Sequence, residues 1–137
     1  MTITPIQNGE DSSSGEKMYR LRIEAVFDAA HKIEGYEGKC RNLHGHTYKA
    51  EAFLLAKKLD SVGISIDLRA LKEKLQAVTE QLDHSYLNDK KEIGNPTTEN
   101  LTGYIFRKLK ADLPDGVALE KVRVWETPKS WIEYFEG

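Results

Sequence analysis

A single cysteine among 137 residues excludes an intramolecular disulfide framework. It also leaves no second thiol for a closed Cys2His2 metal cage. No apolar run approaches the roughly 18 residues that a membrane-spanning helix requires, so no membrane association is expected. There is no surplus of positive charge either: 20 Lys and Arg face 22 Asp and Glu, for a net charge of -2. That balance argues against a general nucleic-acid-binding surface. Residues 1–17 contain neither a basic stretch nor an apolar core of the secretory type. A cytoplasmic location, with the lone thiol reduced, is the expectation. Three acids and one lysine in that segment account for the whole net charge, and the segment reads as a disordered polar tail. Residues 18–137 are long enough for one domain and short for two. They contain no internal repeat.

Within them the hydrophobic period changes along the chain. Tyr19, Leu21, Ile23, Ala25, Phe27, Ala29 and His31 share one parity, against Arg20, Arg22, Glu24 and Asp28 on the other. Period two over this length predicts a half-buried strand whose inner face ends in a histidine. Residues 32–43 read as a connection, broken by Gly35 and Gly38. Residues 44–55 alternate again, with His44, His46, Tyr48, Ala50, Ala52 and Leu54 on one face, and the two runs are expected to pair as a hairpin. From residue 67 the step becomes three and four. Leu68, Leu71, Leu75, Val78 and Leu82 form a helical stripe, with Asp67 placed as its N-cap. Asn95-Pro96-Thr97-Thr98 starts a second helix, carried by Leu101, Ile105 and Leu109 with Tyr104 and Leu113 beside them, and Pro114-Asp115-Gly116 ends it. Val117–Glu126 is a third strand, and Trp131–Phe135 a short fourth. The order β-β-α-α-β-β predicts an α+β fold: an antiparallel four-stranded sheet with two helices on one face. An open sheet of this kind has two edges, which pairing with other copies can cover.

The chemistry-bearing residues cluster. His31, Cys40, His44 and His46 fall within 16 residues. In His44-Gly45-His46 the two imidazoles are at i and i+2, so on a strand they share a face, about 6.5–7 Å apart at the backbone. Both rings can then reach one ion at the usual Zn–N distance of about 2.0–2.1 Å. His31, closing the neighbouring strand's inner face, supplies a third nitrogen. Three imidazoles with an open fourth position describe a catalytic metal site, and imidazole suits zinc, nickel, copper and iron alike. Cys40, on a polar loop beside that cation, is suited to act as a thiolate base. Asp83-His84 reads equally as a helix-ending pair or as a carboxylate-imidazole proton relay, and in either case lies in a turn. Glu126 prolongs the apolar row of Val122 and Val124. It either faces solvent at the strand end or, if buried, needs a partner such as the guanidine-like edge of a heterocycle.

These residues fall in ordered motifs. Phe27-Asp28-Ala29-Ala30-His31, Cys40-Arg41-Asn42-Leu43-His44-Gly45-His46, Leu82-Asp83-His84-Ser85-Tyr86-Leu87-Asn88, Asn95-Pro96-Thr97-Thr98-Glu99-Asn100 and Val124-Trp125-Glu126-Thr127 span nearly the whole domain. Together they resemble the 6-pyruvoyl-tetrahydropterin synthase family. The three-residue gap between Cys40 and His44 is similar to the bacterial branch that makes 6-carboxytetrahydropterin. The resemblance implies the tunnelling fold, or T-fold, assembled into homo-oligomeric rings, commonly hexamers, with sites at subunit contacts. It implies zinc held by His31, His44 and His46, and a substrate, dihydroneopterin triphosphate, split into carboxytetrahydropterin, acetaldehyde and triphosphate on the way to queuosine and related deazapurines. Cys40 would take a side-chain proton, Asp83 and His84 would relay protons, and Glu126 with Thr97 and Thr98 would bind the pterin ring. The alternatives are a pyruvoyl product from the same substrate, or a metal- or pterin-binding protein without turnover. No glycine-rich phosphate loop is present, and the cation that meets the triphosphate is left open.

Overall fold

A computed structural model describes residues 17–38 and 41–137. The predicted tail, apart from Lys17, and Cys40 therefore lie outside the described residues. The elements are β1 (Tyr19–His31), β2 (His44–Ala56), α1 (Leu68–Glu80), β3 (Ser85–Tyr86), α2 (Thr98–Lys110), β4 (Val117–Thr127) and β5 (Ser130–Tyr134). A short 3-10 turn, Leu87–Asp89, follows β3. None of the described helices is long and apolar enough to cross a membrane.

The fold is the expected α+β arrangement of a twisted sheet and two helices, with one correction: the sheet has five strands, in the order β3-β1-β2-β4-β5. The extra strand, β3, is two residues long and pairs in parallel with Ala29 and Ala30 of β1. No period can be read from two residues, so the sequence offered no signal for it. It forms because the turn after α1 returns to the edge of β1, where the His84 N–H donates to the Asp28 carbonyl at 2.6 Å.

β1 and β2 make the expected long antiparallel hairpin, with Phe27 opposite Tyr48, Ala29 opposite His46 and His31 opposite His44. Cross-strand partners share a face, so this register puts all three histidines on the side that carries Ile23, Phe27, Tyr48 and Leu54. Both helices pack on that face. Leu71 and Leu75 of α1, Leu101, Ile105 and Leu109 of α2, and Val122 and Val124 of β4 join the strand residues in one core. Asp67 caps α1, its Oδ1 accepting from the Arg69 N–H at 2.9 Å. Leu68, expected on the apolar stripe, is instead half exposed at the first position of α1. Thr97 caps α2, accepting from the Asn100 N–H at 3.1 Å.

The opposite face of the sheet is polar, yet it buries a carboxylate. Glu51 is only 4% exposed. It accepts from Arg22 and from the Trp125 indole N–H, with Arg123 at 3.7 Å. Burial pushes its carboxyl upward, but the bonds from Trp125 and Arg22 outweigh that and hold it below the usual range. Arg123 in turn lies 4.2 Å over the Trp131 ring and pairs with Glu133.

Leu75 is fully buried between helix and sheet. Leu75→Ala is expected to lower unfolding free energy by about 2–5 kcal/mol in urea titrations, with an unchanged denaturant slope.

Candidate active site

The paired ends of β1 and β2 bring His31, His44 and His46 together, one nitrogen from each lying within 4.8 Å of the others. Their ring centroids are 4.4, 5.2 and 4.8 Å apart. The protons of two rings are fixed by backbone. The Pro96 carbonyl accepts from His31 Nδ1 at 2.8 Å, and the Asn42 carbonyl from His44 Nδ1 at 2.6 Å. In the neutral imidazole this leaves a lone pair on each Nε2. Those two Nε2 atoms are 2.9 Å apart. Neither has a proton to offer the other, so the contact is two lone pairs facing one another. His46 Nε2 is buried without a hydrogen-bond partner, 3.9 Å from Glu126 Oε1.

Burial lowers the pKa of both His31 and His46. The first is opposed by its bond to Pro96, the second by the Glu126 charge. Both rings therefore stay neutral, with lone pairs available, down to a lower pH than a free imidazole. Nitrogens coordinated at about 2.0–2.1 Å around one tetrahedral ion sit roughly 3.3 Å apart. A cation between the rings would satisfy the facing Nε2 pair and the orphaned His46 Nε2 together. The donor set fits a three-histidine metal ion.

Glu126 stands beside this cluster on the strand face that carries Val122 and Val124, at a bulge in β4. β4 and β5 pair Trp125 with Trp131 and then Thr127 with Ser130, leaving Glu126 as the extra residue. It is not an unpartnered strand end: Thr98 Oγ1 donates to Glu126 Oε1 at 2.6 Å. Together with His31, Thr97 and Thr98, Glu126 lines a cavity of about 260 Å3 walled by Ile33, Tyr36 and Ile132. The lining would offer a flat heterocycle apolar walls and the carboxylates of Glu126 and Glu99. The Thr97 hydroxyl is engaged in its helix cap, so Thr98 is the threonine whose side chain reaches the carboxylate.

Asp83 and His84 form a separate cluster with Asp28. They do lie in a turn. Asp83 does not cap the helix; its Oδ1 accepts from the Asp28 N–H at 2.8 Å, and its Oδ2 lies 3.0 Å from His84 Nδ1. Those contacts lower the Asp83 pKa, the bond from Asp28 most. His84 adopts φ 56°, a left-handed conformation that is uncommon outside glycine and leaves its ring exposed beside the sheet. A second cavity joins His84 and Ser85 to Gly45 and His46, so this turn and the histidine cluster open on common space.

Sequence reasoning missed the supporting groups. The Pro96 and Asn42 carbonyls are backbone atoms and have no residue signature. Asp28 and its Thr47 partner sit on the polar parity, where a charged strand residue is ordinary. Tyr48 was on the right parity, and its ring lies 5.4 Å from His46 at the floor of the cluster.

The two-layer α+β fold thus gathers three imidazoles beside a cavity lined by Glu126. The family profile for 6-pyruvoyl tetrahydropterin synthase matches residues 20–137, and the chain belongs to that family of pterin enzymes. It is 37% identical to the 6-carboxy-5,6,7,8-tetrahydropterin synthase of Synechocystis, over 86% of this chain and 94% of that one. It is 32% identical to the protein of the same name from Haemophilus influenzae, over 87% of this chain and 100% of that one. The dihydroneopterin monophosphate aldolase of Pyrococcus furiosus is 36% identical, over 83% of this chain and 95% of that one. Among solved structures, the 6-pyruvoyl tetrahydropterin synthase of Caenorhabditis elegans superposes with a TM-score of 0.76 at 30% identity, covering 88% of this chain and 97% of that one.

His46→Ala is expected to remove tight binding of one divalent ion per chain, measured by elemental analysis after dialysis. The lowered histidine pKa values carry a sign. Below about pH 6.5 the unfolded chain takes up protons that the folded rings refuse. The metal-free protein should therefore lose stability as pH falls from 6.5 through the depressed folded values, and its thermal midpoint should be lower at pH 5.5 than at pH 7.5.

Proposed function

We propose that this chain is a zinc-dependent 6-carboxytetrahydropterin synthase, acting in the cytoplasm as a homo-oligomer, a hexamer in the form the family resemblance implies. The observation that carries the reading is the gathering of three imidazoles, one nitrogen from each within 4.8 Å of the others, beside a cavity lined by Glu126. The identity to relatives bearing that name supports the choice of product. Among the described residues, the outer edge of β5 and the length of β1 beyond β3 pair with no strand, which supports assembly, because exposed edges seek partners.

His31, His44 and His46 would hold the zinc, which when bound supplies Lewis acidity toward the oxygens of the substrate side chain. The remaining roles belong to the chain's own groups. Glu126 would accept two hydrogen bonds from the amino-pyrimidine edge of the pterin. Its carboxylate is oriented for this by the Thr98 hydroxyl. Thr97 and Thr98 would offer backbone groups to the same ring from the start of α2. Ile33, Tyr36 and Ile132 exclude water from its faces. Cys40 would remove a carbon-bound proton from the side chain. His84, held through Nδ1 by Asp83, would pass protons on, and the cavity joining it to His46 gives that transfer a route.

A second reading, a dihydroneopterin monophosphate aldolase, is favoured by the Pyrococcus furiosus relative at nearly the same identity. The pyruvoyl reaction is favoured in turn by the Caenorhabditis elegans structure. Product analysis separates all three. Zinc-loaded protein given dihydroneopterin triphosphate is expected to release acetaldehyde and triphosphate and to leave a carboxylated tetrahydropterin in the mass spectrum. A pyruvoyl product, a retro-aldol product or no turnover would each overturn the reading. Cys40→Ala should retain one zinc per chain and lose at least about a hundredfold in kcat, the lower range for a general base. Normal turnover in that variant would refute the base assignment. Glu126→Ala should raise KM by about tenfold or more, with zinc content unchanged.

A further inference from the structure

Two asparagines of the motif segments are left without work by the mechanism above, and both grip one loop. Asn88 Oδ1 accepts from the Lys32 N–H at 2.9 Å, and its Nδ2 donates to the Lys32 carbonyl at 2.8 Å. Asn95 does the same one step further on. Its Oδ1 accepts from the Glu34 N–H at 3.0 Å, and its Nδ2 donates to the Glu34 carbonyl at 2.9 Å. Each side chain thus satisfies both backbone groups of one residue, as a neighbouring strand would. The loop residues so held come straight after the last residue of β1, His31. Between and beyond the two clips stand Ile33 and Tyr36, which form a wall of the Glu126 cavity. The turn between them uses Gly35 at φ 77°, a conformation open to glycine. Asn95 is itself anchored, since the Asn100 side chain and the Thr97 N–H both donate to its carbonyl at 2.8 Å.

Asn95, Pro96, Thr97 and Thr98 therefore each hold a different part of one site. They grip the cavity wall, the His31 proton, the start of α2 and the Glu126 carboxylate respectively. We propose that Asn95, assisted by Asn88, is a positioning residue for ring recognition: its side-chain clip on Glu34 sets Ile33 and Tyr36 at the spacing that admits a planar pterin. This rests on the pterin reading above and deepens it. The chemistry of the clip excludes easy substitutes. Aspartate keeps the acceptor and loses the donor, and alanine loses both.

The test uses zinc-loaded full-length protein and neopterin, a fluorescent oxidised pterin without a phosphate chain, so that neither turnover nor phosphate binding enters. Asn95→Ala is expected to weaken neopterin by about tenfold or more, two hydrogen bonds' worth, with one zinc per chain retained. Asn95→Asp should fall between it and wild type, and serves in its place if the alanine variant does not fold. The decisive arm is a double-mutant cycle with Tyr36→Ala. If the clip acts through the wall, Asn95→Ala adds little once Tyr36 is gone, whereas a merely structural role gives additive losses. Additive losses, or a variant with a lower thermal midpoint and undiminished neopterin affinity, would overturn the inference alone. A wild-type protein that takes zinc but no neopterin would overturn the pterin reading and this inference with it.

Discussion

Two imidazole nitrogens face each other 2.9 Å apart with no proton between them, because the proton of each ring is already given to a backbone carbonyl. Much of the architecture can be read as the means of keeping that arrangement. The hairpin register sets His31 against His44. The start of α2 delivers the Pro96 carbonyl, and the loop before β2 delivers that of Asn42. Burial keeps the His31 and His46 rings neutral. Left alone, facing lone pairs repel and a buried orphan nitrogen is unfavourable. A cation between the rings would turn both liabilities into bonds.

The same segment that orients His31 also shapes the organic half of the site. Residues 95–98 run from the loop clip through the His31 carbonyl contact and the helix cap to the Glu126 brace. The Glu126 cavity and the His31 ring are thus tied to one stretch of chain, itself secured by the N-terminal turn of α2. Glu126 reaches the cavity from β4, continuing the inward row of Val122 and Val124 to the point where the β4–β5 ladder is interrupted. The Asp83-His84 turn reaches the site from a third direction, pinned to β1 through the backbone of Asp28.

Legibility in the sequence followed the length of each pattern. β1, β2 and α2 could be read because one period was sustained over ten or more positions, and caps marked both helix starts. β3 could not, since two residues carry no period. Leu68 misled because an apolar residue in step with a helical stripe is indistinguishable from its neighbours until the helix packing is known. Of the site, the three histidines were legible from parity alone. Glu126 was legible as an anomaly on an apolar row, but its partner Thr98 lay 28 residues away and nothing local linked them. The clips of Asn88 and Asn95 fell in recognised motifs, yet asparagine beside a turn has too many ordinary uses to indicate what it binds.

Alternation and spacing, which are local, were thus enough to establish the long strands β1 and β2, which face of each is buried and that His44 and His46 point the same way. Family membership followed from the order of the motifs, since ordered matches along a chain need no coordinates. The hairpin register, the tautomers and the meeting of β1, β2, the α2 start and the β4 bulge around one cavity came from packing. They depend on contacts between residues tens of positions apart, and on backbone carbonyls that every residue possesses and no side-chain pattern reveals.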